Sequence, residues 1–585
     1  MHLRHLAVVM VVVCACAPAG PRVEPPQPVP APPSQKSMFD PEVDDLLAGM
    51  SVRERIAQLV VPWIPGTYAA YDEDGFERAE RWVDSLHVGG VIVSIGSPLD
   101  IAAKLNRLQR RSRLPLLVAS DFEGGTSLRF TGGTPLPPNM GVGATGSDTA
   151  AYEIGRITAL EGRAVGVHLA FAPVADINNN PANPIINTRS FGEDPALVAR
   201  LVAAEVRGLQ DHGMLATAKH FPGHGDTGTD SHLALPVITA TWSRLDSVEL
   251  VPFRAAIGAG VQVVMSAHIA LPAIDSGGLR PGTVSPGVLT GLLRDSLHFQ
   301  GLVVTDALDM AGIAERFGAE AGVRAFLAGA DLLLQPTDPA TAIDAMAAAV
   351  ERGEITPERL DRSVRRVLAL KRTLGLFRER TVPLDSIPAV VGTAEMAREA
   401  ARIASSSLVM VKDSAGVIHS LRSARPPITL VTYAEPENRS VGAAMAAELK
   451  AQGFAVTLAR LWPASGYASY DSVAVAIVRN PVTIFATADR PTAWRGSLGL
   501  PAALMRMIAT TARYRPTVLV SLGNPYLLSE LPEVGSYLIG WRSNFIVEQA
   551  VARALAGAAP ITGHLPISLP PRFARGWGVQ RRIDQ

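Results

Sequence analysis

The segment from residue 219 to residue 232 concentrates ionisable side chains. It reads Lys-His-Phe-Pro-Gly-His-Gly-Asp-Thr-Gly-Thr-Asp-Ser-His, with three histidines, two aspartates and one lysine. Burying so many polar groups without partners would be costly, whereas a fully exposed loop would have no need of Phe221 and Pro222. We therefore expect this segment to form part of a functional site.

Within this segment, a single residue separates Asp230 from His232. A carboxylate at that spacing can accept a hydrogen bond from one imidazole nitrogen, which fixes the tautomer and leaves the other nitrogen to carry a proton. An imidazole with a pKa near ~6.5 suits proton transfer at neutral pH. His220, His224 and His232 lack the short offsets of a helix-borne zinc site, so the pattern favours acid–base chemistry over metal binding or a structural hydrogen-bond cluster.

The elements that would position these residues alternate along the chain. Short β-branched or leucine-rich runs are each followed by a longer amphipathic stretch that is typical of a helix. This alternation predicts an α/β fold with a (β/α)8 TIM-like barrel, and an open doubly wound sheet is the alternative. The predicted strands are residues 58–63, 89–94, 114–120, 168–173, 215–219, 261–266, 301–305 and 330–335.

Polar residues stand at the ends of four of these runs. Asp121 follows the third run, Lys219 and His220 the fifth, His268 the sixth and Asp306 the seventh. The carboxyl ends of barrel strands carry the catalytic residues of such folds. We therefore expect these side chains to converge on one face.

The barrel is predicted over residues 39–378, followed by a linker over residues 379–395 and a smaller α/β sandwich domain over residues 396–585. Ser51 and Glu54 match a helix capping box near the start of the barrel. In the second domain the predicted strands are residues 429–432, 473–478, 517–521 and 536–539, and the predicted helices are residues 441–452 and 545–555.

The composition excludes some classes of partner. Acidic and basic residues balance at 54 each among 585 residues, so no global field attracts the chain to nucleic acid. Hydrophobic residues at 48% and charged residues at 18% are typical of a globular protein. A glycine-rich dinucleotide loop and a metal-ligand cluster are both missing from the pattern, and we expect no cofactor and no metal.

The first residues resemble an export signal. A basic start precedes an apolar run over residues 6–13, which is too short to span a bilayer, and a small residue precedes Cys16. We expect residues 1–16 to be a bacterial lipoprotein signal with a lipid-anchored Cys16, and residues 17–38 to be a proline-rich spacer. A soluble secreted protein is the alternative. Both cysteines lie here, so the mature chain is expected to contain no internal disulfide.

Several segments together resemble glycoside hydrolase family 3, in its β-N-acetylglucosaminidase branch. Apart from the segment that begins at Lys219, these are SDFEGG at residues 120–125, NTRSFGEDP at 187–195, MSAH at 265–268, VTDALDM at 304–310 and TGHLPIS at 562–568. The resemblance extends over nearly the whole mature chain. It implies an exo-acting, retaining enzyme that releases terminal N-acetylglucosamine from cell-wall or chitin-type fragments.

The resemblance also implies roles for individual residues. Asp306 would attack the anomeric carbon, and His232, oriented by Asp230, would protonate the departing oxygen, giving net retention through a covalent intermediate. The residues implied to bind the terminal sugar are Asp121, Arg129, Arg189, Lys219, His220 and His268.

Some of these residues have structural alternatives. Asp306 could cap a helix, Arg189 could pair with Glu193 or Asp194, and His268 could be a buried core histidine. The family's first acidic loop continues Gly-Gly-Arg, whereas Thr126 follows Gly125 here and a second arginine is kept as Arg129. The replacement of this arginine by Thr126 affects how the outer hydroxyls of the sugar would be recognised.

Three other functions are compatible with parts of the pattern. A phosphorylase could use the same Asp/His machinery, because a neutral histidine does not repel phosphate. A non-catalytic sugar-binding lipoprotein would not need both catalytic residues. A β-glucosidase or xylosidase of the same family would take its acid from a glutamate of the second domain, so the Asp230-Ser-His232 triplet argues against it.

Overall fold

The computed structural model describes residues 27–28, 41–67, 73–275, 278–414, 416–492, 495–496 and 498–583. The predicted signal peptide, and the proline-rich spacer apart from residues 27 and 28, lie outside the described residues. The chain has an α/β fold whose sheets are mostly parallel. Within the described ranges, every helix is too short or too polar to cross a membrane.

The strands of the N-terminal part pair in parallel throughout. β2, β3, β4 and β5 form one sheet, β6, β7 and β8 a second, and β1 pairs with β9. Each predicted run contains a strand, which confirms the sequence pattern. The strands are β1 (Val60–Val61), β2 (Trp63–Pro65), β3 (Gly90–Ser94), β4 (Leu117–Ser120), β5 (Leu169–Ala170), β6 (Thr217–Phe221), β7 (Val263–Ser266), β8 (Leu302–Val304) and β9 (Leu333–Leu334).

Single parallel bridges join these sheets to one another. Leu169 pairs with Leu215, so β5 lies beside β6, and Val304 pairs with Leu332, so β8 lies beside β9. Nearly every strand residue is buried, which explains why the strands read as continuous apolar runs instead of alternating with polar residues.

Helices alternate with the strands along this part of the chain. The predicted capping box is confirmed, since Ser51 Oγ accepts from the Glu54 amide and the Glu54 carboxylate accepts from the Ser51 amide. The helices are α1 (Pro41–Ala48), α2 (Val52–Ala57), α3 (Glu73–Asp84), α4 (Pro98–Arg111), α5 (Asn139–Thr145), α6 (Asp148–Ala164), α7 (Pro195–Gln210), α8 (Trp242–Ser247), α9 (Val251–Gly258), α10 (Ala311–Phe317), α11 (Glu320–Ala328), α12 (Pro339–Glu351) and α13 (Pro357–Thr373), with a π-helical segment at Gly287–Ser296.

The C-terminal part contains one six-stranded sheet, here called the C-terminal sheet. Its order is β10-β15-β14-β13-β11-β12, and only β10 runs antiparallel to its neighbour. Its strands are β10 (Val409–Asp413), β11 (Ile428–Tyr433), β12 (Val456–Leu461), β13 (Val482–Thr487), β14 (Thr517–Ser521) and β15 (Ser536–Ile539), and its helices are α14 (Ile387–Val390), α15 (Ala394–Ser407), α16 (Val417–Ala424), α17 (Ala443–Ala451), α18 (Tyr467–Arg479), α19 (Ala502–Tyr514) and α20 (Phe545–Ala556).

One predicted strand of this part is wrong. Residues 473–478 lie inside α18, where Val473 and Ile477 are buried while Val475 and Val478 are exposed. Buried residues four positions apart share one face of a helix, whereas the Val-Ala-Val-Ala sequence had suggested a strand. The other predicted strands and both predicted helices are confirmed, and β10, β12 and β13 were not predicted.

Polar contacts join the C-terminal sheet to the loops of the N-terminal part. The side-chain nitrogen Nδ2 of Asn178 donates to the hydroxyl of Tyr526 at 2.8 Å. The carboxylate of Glu193 accepts from both the amide and the hydroxyl of Ser568. Asn544 Nδ2 donates to the Leu136 carbonyl at 3.1 Å. These contacts set the C-terminal sheet against the loops that follow the N-terminal strands.

Asp331, which lies just before β9 and accepts from the Val303 amide of β8, is the centre of a buried ion cluster. It is fully buried, and its carboxylate accepts from Arg294 at 2.7 Å and from Arg366 at 3.0 Å, with Arg359 at 3.5 Å. Burial alone would raise the pKa of Asp331, but the three guanidinium groups hold it well below its usual range. The cluster therefore joins the π-helical segment to α13 through one ionised carboxylate.

We expect Asp331→Ala to lower the free energy of unfolding by about 3–5 kcal/mol, because it leaves buried guanidinium groups without an anion. Urea unfolding at neutral pH measures this loss. The folded pKa lies below the unfolded one, so the wild-type contribution is present above pH ~4 and disappears as the pH falls through the folded pKa. Asp344→Ala, which removes an exposed partner of Arg53, is the control. Similar small losses in both variants would contradict the assignment.

Candidate active site

A cavity of about 640 Å³ lies between the N-terminal strands and the C-terminal sheet. Residues that follow β4, β6 and β8 line one wall, and residues that follow β11, β13 and β15 line the other. The carboxyl ends of parallel strands are where α/β folds build their sites. The predicted site residues that line this cavity are Asp121, Arg129, Arg189, Lys219, His220, His232 and Asp306.

A network of ion pairs, here called the charged cluster, forms the floor of the cavity. It consists of Asp121, Glu123, Arg129, Arg189 and Lys219. The ammonium of Lys219 lies 2.6 Å from Glu123 and 3.1 Å from Asp121. Arg189 binds both oxygens of Glu123, at 2.7 and 2.8 Å, and Arg129 binds Asp121 at 3.2 Å. The side chains hold one another in fixed positions.

The charges of this cluster are stabilised by one another. Burial would raise the pKa of Glu123, but Arg189 and Lys219 hold it well below its usual value. Burial would likewise lower the pKa of Lys219, and Glu123 and Asp121 raise it instead. Both groups are therefore charged at neutral pH, and charged donors and acceptors make the stronger hydrogen bonds to sugar hydroxyls.

His220 is oriented by a buried carboxylate. Its Nδ1 donates to Asp176 Oδ2 at 2.7 Å, and Asp176 Oδ1 accepts from the backbone amides of His220 and His224. Asp176 is fully buried and follows β5. The other ring nitrogen of His220 lies 3.3 Å from Arg189 Nη2, so the imidazole presents a single tautomer towards the charged cluster.

The predicted Asp230–His232 pair forms in the loop after β6. His232 Nδ1 lies 2.8 Å from Asp230 Oδ1, and the same oxygen accepts from the His232 amide at 2.9 Å. Asp230 is buried, while 22% of the His232 side chain is exposed, towards the cavity. The pair therefore has a buried carboxylate that fixes the tautomer and an imidazole whose Nε2 can exchange a proton.

The first part of this loop is held firmly. Both ring nitrogens of His224 are bonded within it, Nδ1 to Thr227 at 2.9 Å and Nε2 to Ser231 at 2.9 Å. Asn183 Nδ2 donates to the carbonyls of His224 and Gly225. A β-carbon at Gly225 would lie 1.7 Å from the carbonyl oxygen of Ile177, so only glycine fits there. The loop that carries His232 is thus anchored at its start.

Asp306 follows β8 and enters the same cavity as His232. Burial would raise its pKa, but His220, His268 and His232, with the Ala307 amide at 2.8 Å, lower it below the usual value. The carboxylate is therefore ionised at neutral pH, which is the state that a nucleophile requires. Asp306 is not the N-cap of a helix: α10 begins at Ala311, and its N-cap is Met310.

Comparisons with known proteins identify the family of the chain. Residues 51–370 match the N-terminal domain of glycosyl hydrolase family 3. The chain is 36% identical over 503 residues to a protein named β-N-acetylglucosaminidase/β-glucosidase from Cellulomonas fimi, covering 82% of this chain and 88% of that protein. The chain belongs to glycosyl hydrolase family 3.

Solved structures of family 3 proteins have a similar fold. A β-N-acetylglucosaminidase from Paenibacillus sp. str. FPU-7 aligns with a TM-score of 0.80 at 33% identity, covering 89% of this chain and 99% of that one. A β-glucoside phosphorylase bound to 2FGlc aligns with a TM-score of 0.82 at 27% identity, covering 92% of this chain and 97% of that one.

Two uncertainties left by the sequence are resolved by contacts. Arg189 pairs with Glu123 and not with Glu193 or Asp194, so the suggested surface salt bridge is wrong. Thr126, which stands where the family 3 pattern has arginine, is buried and donates its hydroxyl to Glu161. Thr126, the residue that departs from the family pattern, therefore makes a structural contact outside the cavity.

His268 requires a correction. It was expected to bind the sugar, but it does not line the cavity, and its imidazole is buried. Its Nε2 donates to the Ala307 carbonyl at 2.8 Å, and its Nδ1 lies 2.7 Å from the hydroxyl of Thr283. Because both nitrogens are occupied, His268 supports the Asp306–Ala307 backbone instead of contacting a ligand.

Several residues of the site were not predicted. Glu123 lies in the SDFEGG segment at residues 120–125, but the sequence analysis assigned it no role. Asp176 follows β5, and no motif around it marks it as a site residue. The wall contributed by the C-terminal sheet had no sequence signal, because its loops carry no recognisable motif. The lining residues from that sheet include Asn438, Arg490, Thr492, Leu522, Trp541 and Arg542.

Glu205, on α7, is a buried carboxyl beneath the charged cluster. It is fully buried, and neither carboxylate oxygen has a hydrogen-bond partner among the described residues. Burial raises the pKa of Glu205 to about 8, and the nearby charge of Glu123 adds to this shift while Lys219 opposes it. Glu205 is thus held in its neutral form at neutral pH.

We expect Glu205→Gln to raise the free energy of unfolding at pH 7 by about 3 kcal/mol, because wild-type Glu205 ionises in the unfolded chain but not in the folded one. The folded pKa is raised, so wild-type stability is complete below the unfolded pKa near ~4.3 and falls as the pH rises towards 8. Thermal unfolding of both proteins between pH 4 and pH 8 measures the difference. A difference that does not depend on pH would contradict the burial argument.

Proposed function

We propose that this protein is an exo-acting, retaining β-N-acetylglucosaminidase that releases terminal N-acetylglucosamine. The observation that carries the proposal is that ionised Asp306 and the Asp230–His232 pair enter one cavity above the charged cluster. The names of the Cellulomonas fimi and Paenibacillus proteins support the choice of sugar.

The residues divide the reaction into two displacements. The Asp306 carboxylate attacks the anomeric carbon while Nε2 of His232 gives its proton to the departing glycosidic oxygen, so a glycosyl–Asp306 ester forms and the leaving group departs as an alcohol. Nε2 then removes a proton from water, which attacks the same carbon and frees Asp306. Two inversions give net retention, with a histidine in place of the usual carboxylic acid.

The charged cluster and His220 hold the sugar during both steps. Asp121, Arg129, Arg189 and Lys219 line the cavity with fixed donors and acceptors that suit sugar hydroxyls. Because these groups are already paired with one another, they need no rearrangement when the sugar binds, and rigid polar groups are the ones that stabilise a transition state best.

The pairing of the N-terminal strands supports a more specific fold than a set of parallel sheets. We infer that the strands from β1 to β9 form a closed (β/α)8 barrel over residues 39–378, with β1 and β2 serving as one strand. The parallel pairings and bridges from strand to strand, together with the β1–β9 pairing, support closure. Residues 379–395 are the linker, and residues 396–585 form a second α/β sandwich domain.

The place of action is inferred from the sequence. The lipoprotein-type signal over residues 1–16 supports export and a lipid anchor at Cys16 on the bacterial cell envelope. An enzyme at that position would meet cell-wall fragments, so a role in peptidoglycan turnover follows, and chitin-type fragments are the other source of terminal N-acetylglucosamine.

A phosphorylase is the second candidate, and the 27% identical β-glucoside phosphorylase structure favours it. Hydrolysis of an aryl N-acetyl-β-glucosaminide and of the matching glucoside, each with and without phosphate, separates these activities. The proposed function requires free N-acetylglucosamine as product and preference for the N-acetylated substrate, whereas sugar 1-phosphate would identify a phosphorylase.

We expect Asp306→Ala to lower kcat for an aryl N-acetyl-β-glucosaminide by about 10³-fold or more, because the covalent step is lost. Added azide should restore part of the turnover and give the α-glycosyl azide, since a small anion can occupy the space of the missing carboxylate. Product analysis by NMR checks the anomer. Retention of most activity, or rescue that gives a β-azide, would exclude Asp306 as nucleophile.

His232→Ala should slow substrates with poor leaving groups by about 10²–10⁴-fold and activated aryl substrates much less, because only the former need protonation. Measuring kcat/KM over a series of aryl leaving groups gives the slope. His419→Ala, an exposed histidine on α16, is the control and should leave the slope as in the wild type. A uniform loss across the series would argue against a role as acid.

A further inference from the structure

Three arginines from separate loops line the cavity and are here called the arginine group. Arg129 follows β4, Arg490 follows β13 and Arg542 follows β15. Their positive charges repel one another, Arg129 acting on Arg490 and Arg490 on Arg542. The N-terminal strands and the C-terminal sheet meet at this group.

Two of these cations have no carboxylate partner. Arg189 and Lys219 are paired with Glu123, and Lys219 and Arg129 are paired with Asp121. Among the residues that the structure describes, no carboxylate lies within ion-pair distance of Arg490 or Arg542.

Glu123 acts on Arg542, and Glu435 and Glu437 act on Arg490, through their charges but without forming an ion pair with them. Glu435 is bonded to Arg495 at 2.8 Å, and Glu437 acts on Arg490 only at longer range. Arg542 reaches the backbone carbonyls of Gly124 and Glu123, but at 3.4 and 3.5 Å. These contacts are long for a hydrogen bond and leave most guanidinium donors unused.

Unpaired cations in a partly enclosed cavity are unfavourable unless a ligand compensates them. Burial, followed by repulsion from Arg490, lowers the pKa of Arg542 to about 10, although the charge of Glu123 opposes this shift. Arginine presents a planar fork of donors that matches a carboxylate or a phosphate in two parallel hydrogen bonds. The chemistry of the arginine group therefore fits an oxyanion.

The identity of this oxyanion follows from the proposed function, on which this inference rests. Terminal N-acetylglucosamine has no charge, so an anion in the same cavity belongs either to the leaving group or to an acceptor that replaces water. We propose that Arg490 and Arg542 bind a carboxylate on the leaving group, which makes carboxylate-bearing β-N-acetylglucosaminides the preferred substrates. Inorganic phosphate is the other source of the same chemistry.

The test compares two substrates that differ only in this charge, N-acetylglucosaminyl-β-1,4-N-acetylmuramic acid and its methyl ester. The wild type should prefer the acid. In Arg490→Gln and in Arg542→Gln, the ratio of kcat/KM for acid over ester should fall by about tenfold, the size expected for one lost charged hydrogen bond.

Arg495→Gln is the matched control. It removes one charge from the loop that carries Arg490, but Arg495 is paired with Glu435 and Asp489 and does not line the cavity. The ratio for this variant should equal that of the wild type. Thermal unfolding of each variant shows whether it is folded.

A second measurement needs no variant. N-acetylmuramic acid should inhibit the wild type about tenfold more strongly than its methyl ester. An acid-to-ester ratio unchanged in both arginine variants, or equal inhibition by acid and ester, would overturn the proposal. Loss of phosphate-dependent sugar 1-phosphate formation in these variants, with an unchanged ratio, would overturn the leaving-group assignment and give the site to phosphate.

Failure of the proposed function is a different result, in which the wild type hydrolyses neither disaccharide nor an aryl N-acetyl-β-glucosaminide.

Discussion

The burial of the Lys219 ammonium is the constraint on which the site depends. A lysine that is 2% exposed must have compensating charges at hydrogen-bond distance, and Glu123 and Asp121 supply them. These carboxylates follow β4, the lysine lies within β6, and Arg189 stands in the 3₁₀ turn Asn187–Arg189 after β5. The ion pairs of the cluster thus fix two loops and one strand relative to one another, and the floor of the cavity results from that requirement.

The reactive groups stand on this floor in two different electrostatic states. Asp230 is buried against His232, and that arrangement selects the tautomer, while the imidazole itself remains accessible. Asp306 is half-buried, and it stays ionised because imidazoles and a backbone amide surround it. His268 contributes to this state through the Ala307 carbonyl and its charge interaction with Asp306, without reaching the cavity. Burial and local polarity together separate the roles of the carboxylates.

The C-terminal sheet completes the cavity instead of forming a separate site. Its parallel strands place their carboxyl ends against those of the N-terminal strands, so loops from both parts line one space. Trp541 is packed between them and donates its indole N–H to the Ser407 carbonyl at 2.7 Å. The cations that this sheet adds, Arg490 and Arg542, lie beside the sugar-binding floor, where they can act on groups attached to the sugar. In our proposal, specificity for the leaving group and the chemistry of cleavage have different structural origins.

Local patterns in the sequence determined the strand positions of the N-terminal part, the Asp230–His232 pair and the capping box of α2, because each depends on residues a few positions apart. The tertiary structure alone decided which charges pair, since Arg189 and Glu123 are 66 positions apart and His220 and Asp176 are 44 apart. It also decided that residues 473–478 form a helix, because a short apolar run is compatible with either element until its neighbours are placed. The arginines of the C-terminal sheet have no motif that marks them, and they join the site only because two sets of parallel strands end at the same cavity.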